Sequence, residues 1–276
     1  MVKCFKNVFD ITNKYIVLLT PLILFSLFSN VYLAISSQGK VIGLLVAIIL
    51  SAMMLGAFFA GWFNMVKLAV SSTLHEKNPN NLMKEFFSGV GEYFLPSMGL
   101  ILIGFVFTLL SLLVSYYASM HFIGEVGVPS EAFVKALASQ EALKAFLASL
   151  SMEQIEKINS WNMSILFSIG TSYFLMFLYI PVLFFKTKNP FLAFWTALRD
   201  LFNKKFFKAL SLYLFIFILN GIISLFSVLL SGNIITNFIM TLLNFYFMTV
   251  VAVGVFHYYH KNYILPQIGQ NVDVEI

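Results

Sequence analysis

The chain has 276 residues, of which 60% are apolar, 17% aromatic and 11% charged; its mean hydropathy is +0.89 and its net charge +5. Soluble domains carry about 25% charged residues, so this composition excludes a water-soluble globular fold, and the polar connections are too short for a separate soluble catalytic domain. The single cysteine, Cys4, cannot close an internal disulfide, and with no CxxC or Cys/His cluster neither a metal site nor a cofactor is expected. The positive balance points to anionic lipid rather than nucleic acid.

A helix needs about 20 mostly apolar residues to cross a hydrocarbon core about 30 Å thick. The stretches 15–39, 41–66, 93–124 and 162–185 each lack Asp, Glu, Lys and Arg. A fifth, 209–260, is too long for one crossing, and Ser231-Gly232-Asn233 supplies the turn at which it folds back. Six spans result, at about 15–36, 43–68, 94–120, 162–186, 208–230 and 234–259. The first is read as a retained span, because its apolar run exceeds the h-region of a signal peptide and has no small-x-small cleavage site. In the second, Ala52, Gly56, Ala60 and Gly61 form a small-residue stripe for close helix packing.

Thirteen basic residues fall on one side of this arrangement: Lys3, Lys6, Lys14, Lys67, Lys77, Lys84, Lys186, Lys188, Arg199, Lys204, Lys205, Lys208 and Lys261. Only Lys40, Lys135, Lys144 and Lys157 fall on the other. By the positive-inside rule both termini are cytoplasmic and the 124–161 loop is external. The expected location is the inner membrane of a prokaryote.

The segments before the odd-numbered spans look alike: FKNVFDITNKYIVLLTP from Phe5, KNPNNLMKEFFSGVGEYFLP from Lys77 and KNPFLAFWTALRDLFNKKFFKAL from Lys188. Asn78-Pro79 and Asn189-Pro190 read as an N-cap followed by proline at the first helical position. Apolar residues then recur at helical spacing (Phe5, Val8 and Phe9; Leu82, Met83, Phe86, Phe87 and Val90; Phe194, Trp195, Leu198, Leu201 and Phe202), which predicts interfacial amphipathic helices. Each is predicted to end at a residue that tolerates a left-handed cap: Asn13, Gly91 or Asn203. The expected fold is all-α: a polytopic membrane protein whose six transmembrane helices form three hairpins with cytoplasmic interfacial helices, a parallel threefold repeat. This KNP-helix-cap-aromatic arrangement resembles poorly characterised six-span families of bacteria and archaea, including the membrane part fused to some glycerophosphodiester phosphodiesterases. The resemblance implies a fold and leaves activity open.

In the 124–161 loop, Pro129-Ser130 opens a helix, and Ser151-Met152-Glu153-Gln154 fits a capping box from which a helix runs into the fourth span. Phe133, Val134 and Leu137, then Leu143, Phe146, Leu147 and Leu150, suit an interfacial helical hairpin; a lid or docking platform is the functional alternative.

Chemistry has few candidates. No ionisable residue lies at mid-span, and Lys67 and Glu92 sit at span ends, where they snorkel. His257 and His260 share a helix face but lack the further ligands a metal needs. No GxSxG, HExxH, P-loop or paired-carboxylate pattern occurs, so no enzyme is expected. Neutral polar stripes remain: Ser164, Ser168 and Ser172 in span four, Asn220, Ser224 and Ser227 in span five, and Asn233, Asn237, Thr241 and Asn244 in span six. They are expected to face one another, as interhelical glue or as a polar cleft. The basic stretch Lys186, Lys188, Arg199, Lys204, Lys205 and Lys208, interleaved with aromatics, is expected to contact anionic head groups. The chain therefore reads as a non-enzymatic membrane scaffold, or a lipid-interacting or partner-binding protein, in which a protein partner or homo-oligomer also fits. The alternative is a transporter of a small neutral or lipid-like substrate.

Overall fold

The computed structural model describes residues 2–36, 41–74, 81–136, 138–203, 205–230 and 232–266. The regular structure among them is helical, as it must be where hydrocarbon offers a backbone amide no partner outside its own segment. The helices are α1 (Val2–Lys14), α2 (Leu19–Ser36), α3 (Val41–Leu74), α4 (Lys84–Phe122), α5 (Ser130–Ala136), α6 (Gln140–Ser149), α7 (Met152–Leu175), α8 (Tyr179–Phe185), α9 (Pro190–Leu201), α10 (Phe206–Leu229) and α11 (Ile234–Tyr259). A π-helical turn, His260–Ile264, continues α11. Five runs are long and apolar enough to cross a bilayer: Val46–Thr73, α4, α7 with α8, α10, and α11 with its π turn. A sixth is reached when α1 and α2 count as one span bent by 79°. The chain is a multi-pass membrane protein.

Local signals place many of the boundaries. Asn189 Oδ1 accepts from the amides of Phe191 (3.0 Å) and Leu192 (3.2 Å), with Pro190 at the first position of α9. Asn233 caps α11 through the amide of Ile235 at 3.0 Å, and α10 and α11 follow the expected fifth and sixth spans closely. The capping box forms: the Ser151 amide donates to Gln154 Oε1 at 3.0 Å and the Gln154 amide to Ser151 Oγ at 3.2 Å. Asn78-Pro79, Ser231, Leu137, Lys40 and Lys77 lie outside the described residues.

Two boundaries depart from expectation. Gly91 is no cap: it lies inside α4, which runs unbroken from Lys84 into the third span, and its φ is not positive. The second copy of the repeat thus has no helix end where the first breaks at Tyr15 and the third at Phe202. The fourth span is interrupted at 176–178, between α7 and α8, because Pro181 lacks the amide that would bond the carbonyl of Phe177 and its ring crowds that carbonyl. The bend after α1 is held from outside the segment: Trp62 Nε1 donates to the carbonyl of Leu18 at 2.9 Å, occupying the turn that leads into α2.

The chain forms two compact units, one of Met1–Ile103 with Leu175–Ile276 and one of Gly104–Phe174. In the first, α11 is the hub, packing against α1, α2, α3, α8 and α10. Its lower half is buried from Thr249 to Tyr259 apart from half-buried Val251, and Phe256 meets Phe63 (5.8 Å between ring centroids), Phe184 (6.1 Å) and Phe185 (5.7 Å). Helix α1 also packs on α11, burying Val8, Ile11 and Thr12, so its inward face serves the bundle as well as any membrane surface. The predicted small-residue stripe is a contact with α4: a Cβ on Gly56 would stand 2.4 Å from Met98 Sδ, and one on Gly61 2.6 Å from the Phe86 ring. Facing it, a Cβ on Gly89 would stand 2.6 Å from Asn64 Cβ and 2.7 Å from the Ala60 carbonyl oxygen.

In the second unit, Ser164 Oγ lies 3.0 Å from Ser115 Oγ and accepts from Ser119 Oγ at 2.8 Å, while Ser168 Oγ donates to the Ser111 carbonyl at 2.8 Å. These bonds join α7 to the C-terminal part of α4. Trp161 Nε1 donates to the carbonyl of Gly124 at 3.1 Å, in a connection where Gly124 (φ 80°) and Gly127 (φ 70°) adopt the left-handed conformation that glycine tolerates.

The two glycines of α4 should respond oppositely to substitution. Gly91→Ala fills open space in a helix and should stabilise by about 0.5–1 kcal/mol, whereas Gly89→Ala should destabilise by about 1–3 kcal/mol by pressing on α3. Thermal unfolding in mild detergent, followed by tryptophan fluorescence, reads both; a left-handed cap at Gly91 would instead make its alanine variant the weaker protein.

Candidate functional site: a buried lysine, aspartate and tyrosine knot beneath an aromatic helix

Helix α9 has two apolar faces of different size. Its inner face is small, with Ala193 and Ala197 buried beside Asp200 and Leu201, and it packs tightly on α8. Its outer face is large: Phe191, Leu192, Trp195 and Phe202 are exposed, Trp195 by 67%, with Arg199 exposed in the same region. Small residues allow the close approach inward, and the bulky ones are left for whatever surrounds the bundle.

Asp200 is the one charged residue on the inner face, and it is 6% exposed. A carboxylate buried this deeply requires charge and donors around it. Lys186 Nζ pairs with Asp200 Oδ2 at 2.8 Å, Tyr259 OH donates to the same oxygen at 2.7 Å, and Tyr263 OH donates to the Asp200 carbonyl at 2.9 Å. Tyr259 and Tyr263 stack at 5.0 Å, and Lys186 lies over both rings, at 5.4 and 5.9 Å. Lys205 lies 4.9 Å from the Tyr263 ring and donates to the carbonyl of Asn262. The π turn that carries Tyr263 and Asn262 therefore closes onto α9 and the start of α10.

A second, smaller set ties the same end of the first unit together. Lys67 Nζ donates to Tyr93 OH at 2.8 Å, Tyr93 OH donates to the Phe184 carbonyl at 3.4 Å, and Lys188 pairs with Glu92 at 2.9 Å. Both lysines sit over the Tyr93 ring, at 5.2 and 5.5 Å. Lys67 and Glu92, read from sequence as snorkelling ends, join α3, α4 and the α8–α9 connection.

The six basic residues expected at head groups consequently divide. Lys186 and Lys205 point into the knot, Lys188 is paired but more than half exposed, Arg199 and Lys208 are exposed, and Lys204 lies outside the described residues. The polar stripes divide too. Ser168 and Ser164 bond to α4. Asn220, Ser224, Asn237 and Thr241 are exposed on α10 and α11, Asn244 is half-buried, and Thr241 bonds back to the Asn237 carbonyl at 2.8 Å. Within the first unit, Asn220, Ser224, Asn237 and Thr241 line no buried cleft.

Sequence reasoning missed the roles of Asp200, Tyr259 and Tyr263. The available signal was a lone acid in a strongly basic stretch together with two tyrosines four apart, hence on one helix face. His257 is 1% exposed with neither ring nitrogen hydrogen-bonded, His260 is buried with its ring 5.1 Å from Phe185, and among the described residues no group of three or more metal-ligating side chains forms. No family model matches the chain, and no match is found among curated proteins or solved structures.

Truncating one partner of a buried ion pair leaves the other charge unpaired, at a cost of about 3–5 kcal/mol. Asp200→Ala should therefore lower the unfolding temperature sharply and loosen α9 from α11, whereas Tyr259→Phe, which removes a single bond to the carboxylate, should cost about 1.5–3 kcal/mol. Limited proteolysis within 186–206 should rise in parallel with the thermal loss.

Proposed function

We propose that this protein is a non-enzymatic, six-span scaffold of a prokaryotic inner membrane, with both termini cytoplasmic, that contacts anionic lipid through its basic, aromatic-rich end. In this reading α9 lies in the head-group layer of the cytoplasmic leaflet. Its outer Phe191, Leu192, Trp195 and Phe202 enter the acyl boundary, and Arg199 and Lys208 meet phosphate. The observation that carries the reading is the exposure of that bulky face on a helix whose other face is anchored by Asp200. Interfacial helices bind through buried apolar area together with attraction to anionic lipid, and each basic residue near such a surface contributes about 1 kcal/mol. The thirteen-to-four distribution of basic residues supports the orientation. The bent α1–α2 pair supplies the sixth span, and the shared opening motifs support the three-hairpin repeat in its first and third copies.

In vesicles containing lipids brominated near the head group, Trp195 fluorescence should be quenched strongly, read as the difference between the parent chain and Trp195→Phe. Quenching should weaken in Arg199→Gln/Lys208→Gln when anionic lipid is present at low salt. Unquenched Trp195 would overturn the placement of α9. The orientation is tested separately in a Cys4→Ser background: Lys208→Cys should react with an impermeant thiol reagent only from the inner face, and Gln140→Cys only from the outer face.

A further inference from the structure

Between α2, α3 and the segment that opens α4 lies a groove of about 340 Å³, lined by Leu24, Phe25, Phe28, Ala57, Phe58 and Phe87 with their apolar neighbours. Every residue lining it is apolar. Its base is stiff: the Phe25 and Phe58 rings stack at 4.4 Å, and Phe58 stacks in turn on Trp62 at 5.5 Å, whose indole is tied to the Leu18 carbonyl. Leu24, Phe28 and Phe87 along it are exposed by 44%, 64% and 74%, so the groove opens sideways from spanning helices.

We propose that this groove holds one acyl chain of a membrane phospholipid. A polar solute would lose its hydration there without gaining a hydrogen bond, because the lining provides none. A partner helix is about 10–12 Å across with its side chains and does not fit a space at the lower end of the ~300–1,000 Å³ range of ligand sites. An acyl chain is slender, wholly apolar and always at hand in the bilayer. Met83, also in the lining, is followed in sequence by exposed Lys84, so a cation of the sign that attracts anionic head groups lies one residue from the groove. The inference shares its ligand class with the lipid-contact reading above and rests on it to that extent, but it concerns a different part of the chain.

The test uses the full-length protein in vesicles doped with phosphatidylglycerol bearing a photoreactive acyl chain, with cross-linked peptides mapped by mass spectrometry. Labelling of 21–28 and 54–58 should exceed that of 214–229 several-fold, although Leu214, Phe217, Leu225 and Val228 expose α10 to the same lipid. The excess should saturate as the photolipid fraction rises, whereas α10 labelling should rise in proportion. Ala57→Phe, which fills the groove, should lose the excess and keep the α10 signal. Equal labelling of the two regions, or a groove signal that never saturates, overturns the proposal without touching the Trp195 experiment. Saturable groove labelling with an unquenched Trp195 would overturn the placement of α9 alone.

Discussion

Hydrocarbon offers no partner to a backbone amide or to a charge, and the architecture of this chain follows from that constraint. The backbone resolves it by being helical wherever the structure describes regular elements. Charge resolves it by withdrawing to helix ends, and where it remains buried it is surrounded. Asp200 has a lysine and a tyrosine on its carboxylate and a second tyrosine on its carbonyl; Lys67 has the hydroxyl and ring of Tyr93. Tyrosine suits this position because one end of the ring is polar and the rest packs with apolar neighbours.

Packing is distributed unevenly as a result. Helix α11 packs against α1, α2, α3, α8 and α10 and is almost wholly buried from Thr249 to Tyr259, whereas α10 buries only Ala209 and Leu212. Helix α9 reverses the usual amphipathic arrangement, with alanines inward and phenylalanine, leucine and tryptophan outward. In water such a face would promote aggregation. Beside lipid, the same face and the apolar groove along α2 and α3 become surfaces for acyl chains, and both proposed lipid contacts follow from that change of solvent.

Features that depend on a few adjacent residues were legible without coordinates. The Asn189-Pro190 start, the Ser151 and Gln154 capping box and the turn before Asn233 each need only local side-chain-to-amide bonds. Gly91 misled because glycine before a charged residue and an aromatic matches the chemistry of a helix end, yet α4 has its apolar continuation and the contact of Gly89 with α3 to carry it through. Pro181 was a readable break that the uninterrupted apolar composition of 162–185 concealed. Lys186 and Lys205 look like surface cations in sequence because the groups that claim them, Asp200, Tyr259, Tyr263 and Asn262, lie 14 to 77 positions away, beyond the reach of any local pattern.

By itself, the sequence determined that this protein lives in a membrane, where its long apolar runs lie, and which connections concentrate lysine, because hydropathy and charge act residue by residue. Only the tertiary structure decided which lysines are held inside the fold, that α11 is the hub, and that Asn220, Ser224, Asn237 and Thr241 stay exposed while Ser164, Ser168 and Ser172 are hydrogen-bonded. Those outcomes depend on which side chains from distant helices arrive within hydrogen-bonding distance, about 3 Å, and periodicity along one helix carries no record of its neighbour.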